Sequence, residues 1–173
     1  RQGGTTGTTS VTAIYGSAMP SITVPTRTGY TFGGYYTEPN GEDCYWSRGN
    51  GWVYAALIRV LEEIPTDETH RQDYINDFIA MSEALKKCQR EDGYWNVSLH
   101  DENHFGGMET SGTSLFVYGM AWGIRKGILN KKEYLPVVAK AWNALIKEAV
   151  HPDTGCLGYV QGTGKEPKDG QPV

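Results

Sequence analysis

From Gly51 onward, apolar positions recur at helical spacing, and four segments differ in how much of their circumference is apolar. Trp52-Val53-Tyr54-Ala55-Ala56-Leu57-Ile58-Arg59-Val60-Leu61 is apolar almost all round, which predicts a helix covered on most sides and ended by Pro65. The next segment, about Asp67 to Gln89, sets Tyr74, Phe78, Met81, Leu85 and Cys88 on one face and charges on the other, so a peripheral amphipathic helix is expected. Asp92-Gly93 turns the chain, and a loop rich in His, Asp and Gly runs to Glu109. Ser111 to Trp122 is again small or apolar on every side and predicts a buried helix, with Arg125-Lys126-Gly127 as its basic last turn and glycine stop. Asn130 followed by Glu133 resembles a capping box and opens a final amphipathic helix with an expected inner stripe of Leu135, Val138, Ala139, Trp142, Leu145, Ile146 and Ala149. Buried, peripheral, buried, peripheral is the alternation that two concentric rings of helices demand. Two hairpins do not close such a ring, so an apolar flank is expected to stay open and to favour self-association.

Before this helical region the period changes to two. Val11-Thr12-Ala13-Ile14-Tyr15 alternates and is β-branched, ending at Gly16-Ser17; Tyr30-Thr31-Phe32-Gly33-Gly34-Tyr35-Tyr36 reads as a second, aromatic strand, with Pro39-Asn40-Gly41 as a closing turn. Residues 1–42 hold no Lys and no Trp, whereas all five Trp follow, and that shift marks a boundary. Val11 to Pro20 followed by Pro25 to Tyr36 resembles the Listeria–Bacteroides repeat, also called the internalin B-repeat. The resemblance implies a small β-grasp-like spacer for linking or adhesion, here without its opening strand, and a secreted or surface setting.

Charge and cysteines narrow the partners. A net charge of −4 and a pI near 5.6 supply no basic field for nucleic acid or anionic lipid. No run of about 18 apolar residues is present, so no membrane span is expected. No leader opens the chain, and Arg1 in place of Met suggests a start inside a longer polypeptide. Cys44, Cys88 and Cys156 lie far apart without metal-ligand spacing, which argues against a zinc site or a disulfide framework and leaves one optional bridge open.

Three places gather polar and aromatic groups. In Trp46-Ser47-Arg48-Gly49-Asn50-Gly51-Trp52 an Arg between two Trp could grip a carboxylate while the indoles meet a sugar ring, or the segment could be a structural turn with Arg stacked on Trp. Glu109-Thr110-Ser111-Gly112-Thr113 opens the buried third helix, where hydroxyls serve either a ligand or a cap. His100, Asp101, Glu102 and His104 lack the i, i+4 pairing of a helical metal site and read as a solvated loop. Asp101 and Glu109 could be nominated as a glycosidase acid pair, yet no spacing singles them out.

Taken in order, Trp46 to Trp52, Ala55 to Leu61, Gln89-Arg90-Glu91-Asp92-Gly93-Tyr94-Trp95, Glu109 to Thr113, Tyr118 to Gly123 and Leu157-Gly158-Tyr159-Val160-Gln161 resemble the unsaturated rhamnogalacturonyl hydrolases of glycoside hydrolase family 105, relatives of the family 88 unsaturated glucuronyl hydrolases. The resemblance covers about residue 43 to the end. It implies a mainly α chain: an incomplete (α/α)6 toroid of about two hairpins over 43–173, preceded by the β repeat over 1–42. It also implies a partner, an oligosaccharide with a terminal unsaturated uronic acid, and a mechanism with no metal or cofactor. In that mechanism an Asp protonates the C4=C5 bond, water adds at C5, and the hemiketal collapses. Trp46, Arg48 and Trp52 match the family's substrate-contacting segment, with Arg48 the candidate for the sugar carboxylate and Trp52 for ring stacking; Glu109, Thr110 and Ser111 join them as substrate-binding candidates. The family's catalytic Asp lies upstream of the matching segment, where this chain carries the repeat. No catalytic residue is therefore assigned, and little or no activity is expected of the chain by itself. The repeat's surface setting and a hydrolase family that is often cytoplasmic leave the location open.

Overall fold

Four α-helices carry the described part of the chain: α1 (Ser47–Glu63), α2 (Arg71–Lys87), α3 (Thr110–Arg125) and α4 (Lys131–Ala144), the last running into a π-helical turn, Leu145–Ala149. This computed structural model describes residues 12, 21, 23, 45–100, 102, 103 and 105–162. The chain divides into two compact units, Arg1–Asp43 and Cys44–Val173, close to the break in composition. Apart from residues 12, 21 and 23, the β-grasp-like repeat expected over 1–42 falls outside the described residues, and the helices all belong to the second unit.

Helix ends follow local chemistry. α1 starts at Ser47, earlier than its apolar run suggested, so Ser47 to Gly51 form its first turn. No side chain among the described residues caps it. The Ser47 amide instead donates to the Val97 carbonyl at 2.8 Å, and Trp46 bridges Ser98, which ties the helix start to the loop between α2 and α3. Ile64 is extended, as the clash with Pro65 requires. At α3 the expected hydroxyl caps give way to Glu109, whose carboxylate accepts from the Ser111 and Gly112 amides. A carboxylate there also meets the positive end of the helix dipole. Gly127, at φ 73°, ends α3 in the left-handed region where a Cβ would be strained. Asn130 caps α4 by accepting from the Lys132 amide at 2.9 Å, but Glu133 takes the Lys86 ammonium at 3.1 Å, so only half of the capping box forms.

α1 and α3 pack most extensively, and they run parallel. Ser47 lies against Gly112, Gly51 against Gly112 and Leu115, and Tyr54 against Gly119, while the Trp122 indole donates to Glu62 at 2.8 Å near the far end. Glycine sets the spacing: a Cβ on Gly119 would stand 2.2 Å from the Tyr54 ring. Around this seam Tyr54 stacks on Phe78 with centroids 4.8 Å apart, and Phe78 meets the edge of Trp122 at 5.3 Å. The Tyr54 hydroxyl pairs with Ser82 at 2.6 Å, and burial pushes its ionisation far above the ordinary range. The loop after α2 is pinned by aromatic donors: Trp95 Nε1 to the Leu85 carbonyl at 2.7 Å and Tyr94 Oη to the Ala144 carbonyl at 2.9 Å.

Two burial expectations need correction. α1 is not covered on most sides, for Trp52, Val53 and Ala56 are exposed. In α4 Leu145 and Ala149 are buried as expected and Tyr134, Ala141 and Ala144 are buried with them, whereas Leu135, Ala139, Trp142 and Ile146 are exposed. The added residues are held by α2 and the loop after it: the Lys86 ammonium lies 4.8 Å from the centre of the Tyr134 ring, Gly93 lies against Ala141, and the Tyr94 hydroxyl donates to the Ala144 carbonyl. In α2, Phe78 and Leu85 are buried as expected and Tyr74 is partly exposed.

Candidate substrate-binding site

The site candidates meet where the N-terminal ends of α1 and α3 lie side by side. Segment 158–162 lies across both ends: Thr110 N donates to the Tyr159 carbonyl at 3.1 Å, and Thr110 Oγ1 to the Gly158 carbonyl at 2.9 Å. Arg48, in the first turn of α1, sends Nε to Ser111 Oγ at 2.8 Å, one terminal nitrogen to the Gly162 carbonyl at 3.2 Å and the other to the Gln161 carbonyl. The Trp46 indole donates to the Gln161 side-chain oxygen.

Glu109 completes this network from below. One carboxylate oxygen accepts from the Ser111 amide at 2.9 Å, from the Ser111 hydroxyl and from the Gln161 amide at 3.5 Å; the other accepts from the Gly112 amide at 2.6 Å. Arg48 and Glu109 thus face each other through Ser111, and a buried guanidinium and a buried carboxylate are both hydrogen-bonded, as charges removed from water must be. Gly112 is required here, since a Cβ would stand 2.5 Å from Ser47 Oγ and 2.9 Å from Glu109 Oε2. Thr113 braces the corner by donating to the Glu109 carbonyl at 2.6 Å while accepting from the Trp95 amide at 3.1 Å. Ser47 and Ser98 carry buried hydroxyls without a partner among the described residues.

The structure therefore brings Trp46, Arg48, Glu109, Thr110 and Ser111 together. Trp52 it leaves apart, 61% exposed on the open side of α1. Glu109 and Thr110 have no exposure, Arg48 has 8%, and Ser111 is half-buried. Gln161 is the residue that the helical pattern missed. It lies beyond the last periodic segment, and only its place in the Leu157 to Gln161 motif marked it. His100 is exposed and meets the Tyr45 ring edge-on at 4.7 Å; Asp101 and His104 fall outside the described residues. Among the described residues no group of His, Cys, Asp or Glu could hold a metal ion. Cys88 and Cys156 are free, and Cys44 lies outside the described residues.

Comparison with known proteins agrees with this architecture. The sequence profile of Glycosyl Hydrolase Family 88 matches residues 29–172. An unsaturated 3S-rhamnoglycuronyl hydrolase from Alteromonas sp. (strain LOR) is 41% identical over 128 residues, which are 74% of this chain and 30% of the relative. A solved glycosyl hydrolase family 88 structure from Bacteroides vulgatus is 43% identical and superposes with a TM-score of 0.71, over 80% of this chain and 38% of its own. A possible member of the GH105 family from Salmonella enterica is 27% identical with a TM-score of 0.62, over 76% of this chain and 35% of its own. The four helices correspond to part of the α/α toroid of these families, and the chain spans between 30% and 38% of the length of these relatives. The family match also takes in residues 29–42, which the sequence pattern had given to the β repeat, whereas the compact unit begins at Cys44. Among the described residues no helix is long and apolar enough to cross a membrane. With the match extending over most of its length, the chain belongs to glycosyl hydrolase family 88.

Proposed function

We propose that this chain supplies one wall of a hydrolase for oligosaccharides that end in an unsaturated uronic acid, and that it does not turn them over by itself. In the full reaction an acid protonates C4 of the C4=C5 bond, water adds at C5, and the hemiketal collapses to release the next sugar. The relative's printed name, an unsaturated 3S-rhamnoglycuronyl hydrolase, supports an unsaturated uronyl group joined to rhamnose as the end of the substrate that is recognised.

One observation carries the reading that turnover is absent. Glu109 is the one acid among the described residues that is buried, and its carboxylate is already committed to the α3 cap, to Ser111 and to Gln161. The remaining described acids are exposed, so none is held in the dry surroundings that raise a carboxyl's pKa for proton donation. We assign Glu109 and Thr110 to holding the wall. Arg48 is assigned to the sugar carboxylate: of its five N–H groups, three are engaged with Ser111, Gln161 and Gly162, which leaves one on each terminal nitrogen.

The test is to incubate the chain with an unsaturated rhamnoglycuronyl disaccharide and follow the ultraviolet absorbance of the C4=C5 bond, with calorimetry in parallel. Expected are constant absorbance and weak binding that disappears in Arg48→Ala while the helical circular dichroism is kept. Robust loss of absorbance would overturn the proposal that the chain is inactive by itself. Binding that is unchanged in Arg48→Ala removes Arg48 from the site.

A further inference from the structure

Gln161 is 2% exposed and its neighbour Val160 38%, so segment 158–162 turns an amide inward and an apolar side chain out. Burial preference runs the other way. The inward Gln161 is explained by what it bonds, and those partners are the two residues assigned to the sugar together with Glu109. Its side-chain oxygen accepts from the Trp46 indole, its carbonyl accepts from a terminal nitrogen of Arg48, and its amide donates to Glu109 at 3.5 Å. An indole N–H and a guanidinium can only donate, so the side-chain amide is fixed with its oxygen toward Trp46.

The backbone before Gln161 is held in a costly shape. Tyr159 has φ 53°, in the left-handed region that a bulky side chain rarely adopts, and such residues persist only where their surroundings over-determine them. Here the bonds come from two elements. The Gly158 amide donates to the Ala149 carbonyl at 2.7 Å, at the end of the π-helical turn, whose Val150 amide reaches back to Leu145 at 3.1 Å. Thr110 takes the Gly158 and Tyr159 carbonyls from the other side. The strained residue lies between this anchor and the inward Gln161, two positions further on.

We infer that Gln161 is a positioning residue: it fixes the plane of the Trp46 indole and the direction of the Arg48 guanidinium before the sugar arrives, and is itself too buried to touch the sugar. The inference rests on the reading that Trp46 and Arg48 meet the uronyl end. Any side chain at 161 would leave a main-chain carbonyl for Arg48, so what the Gln side chain adds is the bond to Trp46. An apolar side chain there would leave the half-buried indole N–H without its acceptor and free the ring to turn. The carbonyl that holds Arg48 belongs to the same residue, so a shift of that residue reaches the guanidinium as well.

Nitrogen–proton correlation spectra of the full chain provide the test, with the Trp46 signal among the five indoles assigned through Trp46→Phe. Gln161→Met keeps the length of the side chain and removes the acceptor. In the free chain it should move the Trp46 indole signal upfield and shift the Arg48 Nε signal while circular dichroism is kept. Gln161→Glu, which retains an acceptor oxygen, should return the indole signal toward its wild-type position. Titration with the unsaturated rhamnoglycuronyl disaccharide should show an affinity about tenfold lower in Gln161→Met. Adding Gln161→Met to Trp46→Phe should cost nothing further, because the bond is already gone. Unmoved Trp46 and Arg48 signals overturn the inference. So does an affinity unaltered despite moved signals, the result of a purely structural bond, and so do losses that simply add. A wild type that binds no disaccharide refutes the substrate reading instead, and the free-chain spectra then decide by themselves whether Gln161 orients the pair.

Discussion

Gly119 shows how a single missing side chain sets the distance between two helices. Its Cα faces the Tyr54 ring so closely that a methyl group would stand 2.2 Å from a ring carbon, and Tyr54 is itself held by its Ser82 hydrogen bond and by stacking on Phe78. Gly119→Ala would gain helix propensity of about 1 kcal/mol. Overpacking of a locked core contact outweighs that gain, so a net loss of about 1–2 kcal/mol is expected in urea unfolding. A neutral substitution would show that the seam can open. Arg48 and Glu109 illustrate a different lesson at the same scale. A residue type suited to a ligand was read correctly as important, but its neighbours decide how much of it a ligand can reach. Three of Arg48's donors and the whole Glu109 carboxylate serve the protein's own backbone and Ser111.

Among elements, the turn between α2 and the following loop carries a pH dependence with a definite sign. Burial alone would raise the pKa of Asp92, but its hydrogen bonds with Arg90 and with the Tyr94 amide outweigh that and hold it below its ordinary value of 3.8. The turn is demanding because Gly93 has φ 97° and lies against the Lys140 carbonyl, 2.8 Å from where a Cβ would be. A depressed carboxyl contributes stability that is present above the unfolded pKa and is lost as pH falls through the folded one. Wild type is therefore expected to be more stable than Asp92→Asn at neutral pH, and the gap should close as the solution is acidified below the ordinary carboxyl range. Denaturation midpoints of the two proteins over an acid series measure this, and a gap that is constant with pH removes the ion pair as its source. α4 adds that helical spacing leaves the choice of buried face open, and that Tyr134 and Ala141 are covered by Lys86 of α2 and by Gly93 of the loop.

For the helical unit, Trp52, Tyr118, Trp142 and Ile146 are large apolar side chains that stand exposed. A hydrophobic dye should therefore fluoresce with the dilute chain. A dye-silent dilute chain would mean that these faces are already covered. The sequence by itself determined the helical class, the four helices, the turn at Asp92-Gly93 and the family kinship, because periodicity, glycine stops and short motifs are local properties of the chain. Tertiary structure decided which apolar row of α4 is buried, that Glu109 caps α3, that Gln161 returns from beyond the last periodic segment to hold Trp46 and Arg48, and that Trp52 stands apart. Each of these depends on a partner distant in sequence, and a buried polar group can be assigned only once the groups that satisfy it are in place.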